Sequence, residues 1–390
     1  MKRVAVIFES SPFDRKGLFN AVHNRVKGII DSGNCEVDVY CIQSVDNAFT
    51  SKVRHRVQVP IVKCVDIEGV HYNMLWYRFS ILDSILFDHM AMRPLFFRRF
   101  MKKTIEVLSG YDVILAHSFV GGLIAKEVSS AYGTQYFVTW HGSDVHTHPF
   151  NNSLQLKETR AIMKNATCNF FVSRALMTTS FSISDDESIR REVIYNGVSA
   201  DFYKYDADQR CRLRAKYGVE DVRVVAFAGN LCKVKNVRTL IPIFERLSMV
   251  YKGEVQYWII GDGKLRSEVE VDIRQSGLQN VRMWGNVSPE VMPELMNCMD
   301  VLILPSLNEG LSLVCLEAIN CGVNVVGSDV GGTAEIVGKD NVVSLGDGFV
   351  DGMAEKISHL LVCPTAQVVP SEMSWTAAAL KELEHILATE

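Results

Sequence analysis

Short β-rich runs separated by longer mixed segments recur in two successive series along this 390-residue chain, and no other feature restricts its fold as strongly. The first series comprises residues 4–8, 37–41, 113–116, 136–139 and 168–172. The second begins near residue 222 with runs at 222–228, 255–260, 281–284, 301–304, 323–326 and 342–345. Alternation of this kind calls for a parallel sheet covered by helices on both faces. Between the series, IYNGVSADFYKYDADQR (194–210) is polar, carries an Asn196-Gly197 turn signal and reads as a linker. The expectation is therefore two α/β domains in tandem, 1–198 and 199–373, which the length accommodates. In open parallel sheets ligands bind beyond the carboxyl ends of the strands, so two such domains facing each other would place the chemistry on loops lining a cleft.

Composition narrows the function classes. Apolar residues make up 48% and charged residues 22%, the proportions of a soluble globular protein. A net charge of −4 gives no support to a nucleic-acid partner. The first apolar run stops at Glu9, too short for a signal-peptide core, and no run of about 18 apolar residues suggests a membrane span. None of the ten cysteines forms a C-x-x-C pair, and Cys41, Cys168 and Cys315 lie in apolar runs, as buried thiols of a cytoplasmic protein would. No His/Cys cluster has zinc spacing, so no metal is expected.

The stretch NEGLSLVCLEAINCG (308–322) holds the most chemistry. Ser312 suits a helix N-cap and Gly322 a stop, predicting a helix over 313–321 that is apolar apart from Glu317 and Asn320, and hence buried. A buried, unpaired Glu317 would cost several kcal/mol, so it needs a cation, hydrogen-bond donors or a raised pKa. Glu309 lies eight residues earlier, about 80° away on a helical wheel, so the two carboxylates do not form one unit. Glu309 on a loop and Glu317 in the second turn would touch different parts of one extended ligand. The amides of Gly310, Leu311 and Ser312 lie between them at the positive helix end, where a phosphate binds. This order suits a nucleotide-sugar; an internal Glu317–Lys or Glu317–Arg pair fits the spacing equally well.

Other loops after strands add candidates. FAGNLCKVKNVRTL (227–240) runs from a strand through Gly229 into a loop with Lys233 and Lys235, able to neutralise a diphosphate; a solvated charged loop explains K-x-K as well. YWIIGDGKLRSEVE (257–270) places Gly261 and Gly263 in a turn that either serves the chain reversal or admits a nucleoside. In TWHGSDVHTHPF (139–150) His141 directly follows a strand, whereas His146 and His148 read as surface residues. Gly17 opens a helix after the first strand. Residues 71–103, rich in aromatics and ending in Arg98, Arg99, Lys102 and Lys103, suit a basic amphipathic helix on an anionic membrane surface, or a stripe with a core side and a solvated side.

With these residues set out, the chain resembles the retaining glycosyltransferases of the GT-B fold, family 4 (glycosyl transferases group 1). Glu309-x7-Glu317 matches that family's E-x7-E motif, and GNLCKVKN (229–236) looks like its phosphate loop. HGSD (141–144), VSRAL (172–176), IYNGV (194–198), GDG (261–263) and VGSDVGGTAEIV (326–337) follow in family order. SWTAAALKELEHIL (374–387) looks like the closing helix, so 374–390 would pack back on the first domain. The resemblance implies two Rossmann-like domains, an acceptor-side one and a nucleotide-sugar-binding one. It implies Glu309 on the donor sugar, Glu317 on the ribose, Lys235 and the 310–312 amides on the diphosphate, His141 near the transferring sugar, and Gly17 near the diphosphate or acceptor. Where the family commonly has arginine this chain has Asn230, and Lys233 is the candidate replacement. The implied reaction moves a sugar from a nucleotide-diphosphate donor, UDP before GDP, to a glycan or lipid-linked acceptor, with no metal or further cofactor, in the cytoplasm or at the inner face of the membrane. An epimerase of the same architecture and a non-catalytic partner subunit are the alternatives. A nicotinamide-dependent dehydrogenase is disfavoured, since no G-x-G-x-x-G follows a strand.

Overall fold

A computed structural model describes residues 1–390 except 14–16, 46–59, 89, 94 and 390. The chain divides into two compact units, one of residues 1–197 with 374–390, the other of 198–373.

The first unit is built on strands β1 (Lys2–Glu9), β2 (Cys35–Val45), β3 (Cys64–Ile67), β4 (Val70–Arg78), β5 (Val113–His117), β6 (Gln135–Trp140), β7 (Cys168–Phe171) and β8 (Arg191–Val193). Their order is β3-β4-β2-β1-β5-β6-β7-β8, parallel throughout except for β3 against β4. Residues 4–8 of β1 are wholly buried, as a central strand between helical layers must be. Burying each of Val4, Val6, Ile7 and Phe8 contributes about 1.5–3 kcal/mol. The antiparallel β3–β4 pair departs from the expected all-parallel sheet. Its two-residue turn, Glu68-Gly69, has both residues at positive φ (49° and 84°), the backbone that twists with a hairpin. The same pair corrects the reading of 71–103 as one amphipathic helix: the stretch begins inside β4 and continues as helices Ile81–Asp88 and Leu95–Val107. On the second of these, Arg98, Arg99, Lys102 and Lys103 are exposed, whereas Phe97 and Met101 are buried.

The helix Trp375–Leu387 lies in the first unit against helix Gly17–Asp31, so closely that a Cβ on Gly28 would stand 2.7 Å from that of Ala379. Arg25, fully buried, donates to Glu382 (2.5 Å), to Asn196 Oδ1 (3.1 Å) and to the carbonyls of Ile194 (2.7 Å) and Tyr195 (3.2 Å). The boundary between the units, at 197/198, falls inside the expected linker 194–210, but both flanks of that stretch are packed. Residues 194–196 are core of the first unit, and helix Ala207–Tyr217 anchors to the second through Arg210, which donates to Asp300 at 3.0 Å.

The second unit carries β9 (Arg223–Ala228), β10 (Val255–Ile260), β11 (Val281–Gly285), β12 (Val301–Leu304), β13 (Asn324–Ser328) and β14 (Val342–Val343), all parallel, in the order β11-β10-β9-β12-β13-β14. From β9 the chain winds outward to β11, then returns to lay β12 on the other side of β9. The loops after β9 and β12 therefore diverge and open a crevice, the topological switch point where open α/β sheets bind ligands. By the same reasoning the first unit has its switch point between β1 and β5. Among the described residues no helix is long and apolar enough to cross a membrane.

Candidate functional site

At the switch point of the second unit, the loop after β9 forms two short 3-10 turns, Lys233–Lys235 and Val237–Thr239, before helix Leu240–Val250. The loop after β12 leads to helix Leu313–Asn320. This helix is one residue shorter than expected, and Ser312 is its N-cap by position without a side-chain capping bond. The two loops are joined by the Leu307 amide donating to the Val234 carbonyl at 2.8 Å. They are also joined by an ion pair, Lys235 Nζ to Glu309 Oε1 at 2.5 Å. Both side chains are largely withdrawn from solvent, 23% and 10% exposed, so water screens the pair weakly.

Glu309 is held from several directions. The buried Ser306 hydroxyl donates to Oε1 at 2.6 Å, and Ser328, at the end of β13, donates in turn to the Ser306 carbonyl. Behind the loop, Gly331 lies so close that a Cβ there would sit 1.7 Å from the Glu309 carbonyl oxygen, and its φ of +51° also disfavours a side chain. The adjacent Gly332 amide donates to the Gly310 carbonyl at 3.2 Å. The amides of Gly310, Leu311 and Ser312, all three residues buried, have no acceptor among the described residues. Buried donors of that kind want an anion or a carbonyl.

Glu317 occupies the second turn of the helix. It is half-buried rather than fully buried, and its carboxylate has no hydrogen-bond or ion-pair partner among the described residues. Burial alone pushes its pKa up to about 7. The internal cation considered for Glu317 is absent among the described residues; the ion pair forms at Glu309 instead. Lys233 is exposed, with no partner among the described residues. Gly261, at φ +121°, could carry no side chain, since a Cβ would meet the Gly229 carbonyl oxygen at 2.1 Å. Close packing against the β9 loop thus requires a glycine at 261, whether the turn serves the chain reversal or admits a nucleoside. A Cβ at Gly263 would meet Asn230 Oδ1 and the Leu231 carbonyl at 2.4 Å, so this turn braces the β9 loop.

In the first unit His141 directly follows β6, and its Nε2 shares a hydrogen bond with Nδ1 of His117, at the end of β5 (3.1 Å). Burial, and then the Arg25 charge, lower the His141 pKa to about 3. Burial likewise lowers His117, with His141 and Arg25 adding to the effect. Both rings are thus neutral near pH 7, one donating and the other accepting. Buried Asp144 receives the amides of His141 (3.1 Å) and Gly142 (2.7 Å), fixing the turn that presents the imidazole. His148 is exposed as expected; His146 is half-buried. Gly17 opens helix Gly17–Asp31 at the β1 side of this unit's switch point.

Sequence reasoning passed over Ser306, Gly331 and His117. His117 carried a usable signal, because it follows its strand run as directly as His141 follows its own. Gly331 sits in a Gly-Gly pair after β13, where a close backbone approach is a standard explanation.

The comparisons with known proteins concern the unit that carries these loops. Residues 222–362 match the protein-family model described as "Glycosyl transferases group 1". An uncharacterised glycosyltransferase of Methanocaldococcus jannaschii is 28% identical over 243 residues, covering 60% of this chain and 61% of the relative. The putative teichuronic acid biosynthesis glycosyltransferase TuaC of Bacillus subtilis is 26% identical over 250 residues, covering 64% and 61%. The matched part of the chain thus spans about three fifths of the length of these curated relatives. HepE of Anabaena, solved with UDP, superposes with a TM-score of 0.76 at 18% identity over 100% of both chains, and has also been solved with UDP-glucose. At that identity the likeness concerns the fold, which is GT-B.

Proposed function

We propose that this chain, whose residues 222–362 match the group 1 glycosyltransferases, transfers a sugar from a nucleotide-diphosphate donor to a hydroxyl of a glycan or lipid-linked acceptor, with retention of anomeric configuration. The observation that carries this reading is the group at the second unit's switch point: paired Lys235 and Glu309, with three buried amides lacking acceptors and a Glu317 carboxyl lacking a partner among the described residues.

Lys235 and Glu309 satisfy one another, so neither is left as an uncompensated charge. A diphosphate entering beside them competes for the ammonium group. Lys235 then turns to the phosphates, and Glu309, still held by Ser306, accepts from sugar hydroxyls. The amides of Gly310, Leu311 and Ser312 take phosphate oxygens, Lys233 supplies the cation that Asn230 does not, and Glu317 receives the ribose hydroxyls. Charge developing on the departing diphosphate is met by groups already in place, which is where most of the rate enhancement of such a site arises. The neutral His141 is assigned to the transferring sugar and Gly17 to the diphosphate or acceptor by the resemblance. UDP is the first candidate donor nucleotide and GDP the second. HepE, solved with UDP and UDP-glucose, supports that order, and the name of TuaC supports a polysaccharide acceptor. The exposed basic face of helix Leu95–Val107 is consistent with peripheral contact at an anionic membrane when the acceptor is lipid-linked.

The test is incubation with a panel of UDP- and GDP-sugars and candidate acceptors, followed by nucleotide release and the anomeric coupling of the product by NMR. A retained anomer, and loss of at least about 100-fold in turnover for Glu309→Gln, are expected. An isomerised donor without transfer, or turnover unchanged in Glu309→Gln, would overturn the assignment.

A further inference from the structure

At the other end of the first unit's sheet, Cys168, Glu192 and His385 present their ligand atoms within 4.8 Å of one another. They come from β7, β8 and the helix Trp375–Leu387, so no local spacing in the sequence could have announced them. We propose that these three side chains form a zinc site that fastens the C-terminal helix to the edge of the sheet.

The donor set is one sulfur, one imidazole nitrogen and one carboxylate oxygen, which suits a tetrahedral zinc ion with the fourth position left to water. Ligand atoms about 2.0–2.3 Å from a shared ion stand roughly 3.2–3.8 Å from each other. His385 Nε2 and Glu192 Oε2 are 2.6 Å apart, joined by a hydrogen bond that the ion would replace, so they must part by less than about 1 Å. Glu192 has room for this at 39% exposed, and His385, at 22%, leaves an entry path from solvent. Cys168 closes the inner side at 3% exposed. The His385 ring is held against the stacked Phe137 and Phe170, its centroid 6.0 and 5.1 Å from theirs, which limits its rotation. Burial first, and then Glu192, raise the Cys168 pKa to about 11, so the thiol is protonated before metal arrives and gives up that proton as the S–Zn bond forms.

Cys168 pairs in register with Phe137, four residues before His141, or about 13 Å along the sheet. The site is therefore separate from the histidine pair and its role is structural. The ion would join β7 and β8 to the same helix whose Glu382 holds Arg25.

The test uses the full chain, treated with chelator and then titrated with cobalt(II) as the optical stand-in for zinc. A thiolate-to-cobalt charge-transfer band saturating at one ion per chain, displaced by zinc and absent in Cys168→Ser, is expected, together with a zinc-dependent rise in the thermal midpoint. Glu192→Gln, at a partly exposed position that should fold normally, should weaken zinc binding at least tenfold while leaving the metal-free melting curve unchanged. No band at millimolar cobalt, the same band in Cys168→Ser (the exposed Cys64, Cys211 or Cys363 being responsible), or unchanged affinity in Glu192→Gln would each overturn the proposal.

Discussion

Replacing Gly331 by alanine tests whether the position of Glu309 governs activity. The added Cβ would lie 1.7 Å from the Glu309 carbonyl oxygen and 2.7 Å from its carbonyl carbon. Real Cβ atoms essentially never approach closer than 3.0 Å, so the loops must separate by about 3.0 − 1.7 = 1.3 Å. Both contacts are backbone atoms, so no side chain can swing aside. A shift of roughly 1 Å in a positioning group costs on the order of 100-fold, equivalent to about 2.7 kcal/mol of transition-state stabilisation. Alanine at φ +51° adds a conformational cost of about 1–2 kcal/mol to folding. Gly277→Ala separates the two effects: its φ is +72° and its Cβ would meet nothing within 4 Å, so it bears the backbone cost alone. The assay is nucleoside diphosphate release under kcat/KM conditions, paired with thermal melts. Gly331→Ala should lose about 100-fold in kcat/KM and Gly277→Ala should lose stability only. Equal activities in the two variants would refute the claim that Gly331 sets the Glu309 loop.

Other consequences can be measured separately. Lys235→Ala should lower turnover by about 100- to 1,000-fold, read from the same assay, because it removes the cation meant for the departing diphosphate. Glu317 should titrate near pH 7, above its ordinary 4.5, so its contribution to stability is present below about pH 4.5 and is lost as pH rises through 7, by at most about 3 kcal/mol. Glu317→Gln should flatten that part of a stability-against-pH curve, and donor binding to the parent protein should release a proton near pH 6.5, seen by calorimetry in buffers of different ionisation enthalpy. With His117 and His141 lowered from 6.5, the opposite sign applies: the stability they allow is present above pH 6.5 and is lost on acidification toward pH 3, a loss that His141→Gln should reduce in acid-melting experiments. Glu382→Gln, which leaves the fully buried Arg25 without its carboxylate, should destabilise by about 3–5 kcal/mol in denaturant melts.

Much of the fold was legible because buried parallel strands declare themselves as short apolar runs. The six strands of the second unit lie within about two residues of where their runs predicted them. Of the strands that escaped notice, β4 was taken into the amphipathic stretch 71–103, whereas β3 and β8 lack that signature. β8 is the three-residue segment Arg-Glu-Val, and β3 opens with Cys-Val-Asp; only register against a neighbour makes either a strand. The Glu68-Gly69 turn is not one of the dipeptides that mark hairpins most clearly. At the candidate site, titratable side chains on loops after strands stood out: Lys233, Lys235, Glu309 and His141. Those that act by proximity alone did not. Ser306 and Gly331 flank Glu309 from two different loops, and their closeness exists only once β12 and β13 are paired. Arg25, in an amphipathic helix, looks in sequence like any solvated arginine; its burial depends on a helix more than 350 residues later.

The central claim is that the Lys235–Glu309 pair is a resting arrangement which a diphosphate sugar takes apart. A crystal structure of the protein with an intact UDP-sugar tests this most directly. The account predicts that the 2.5 Å contact opens, with Lys235 Nζ on a phosphate oxygen, the Gly310, Leu311 and Ser312 amides facing the diphosphate, and Glu309 on the sugar. A nucleotide bound elsewhere, with Lys235 and Glu309 still joined, would contradict it.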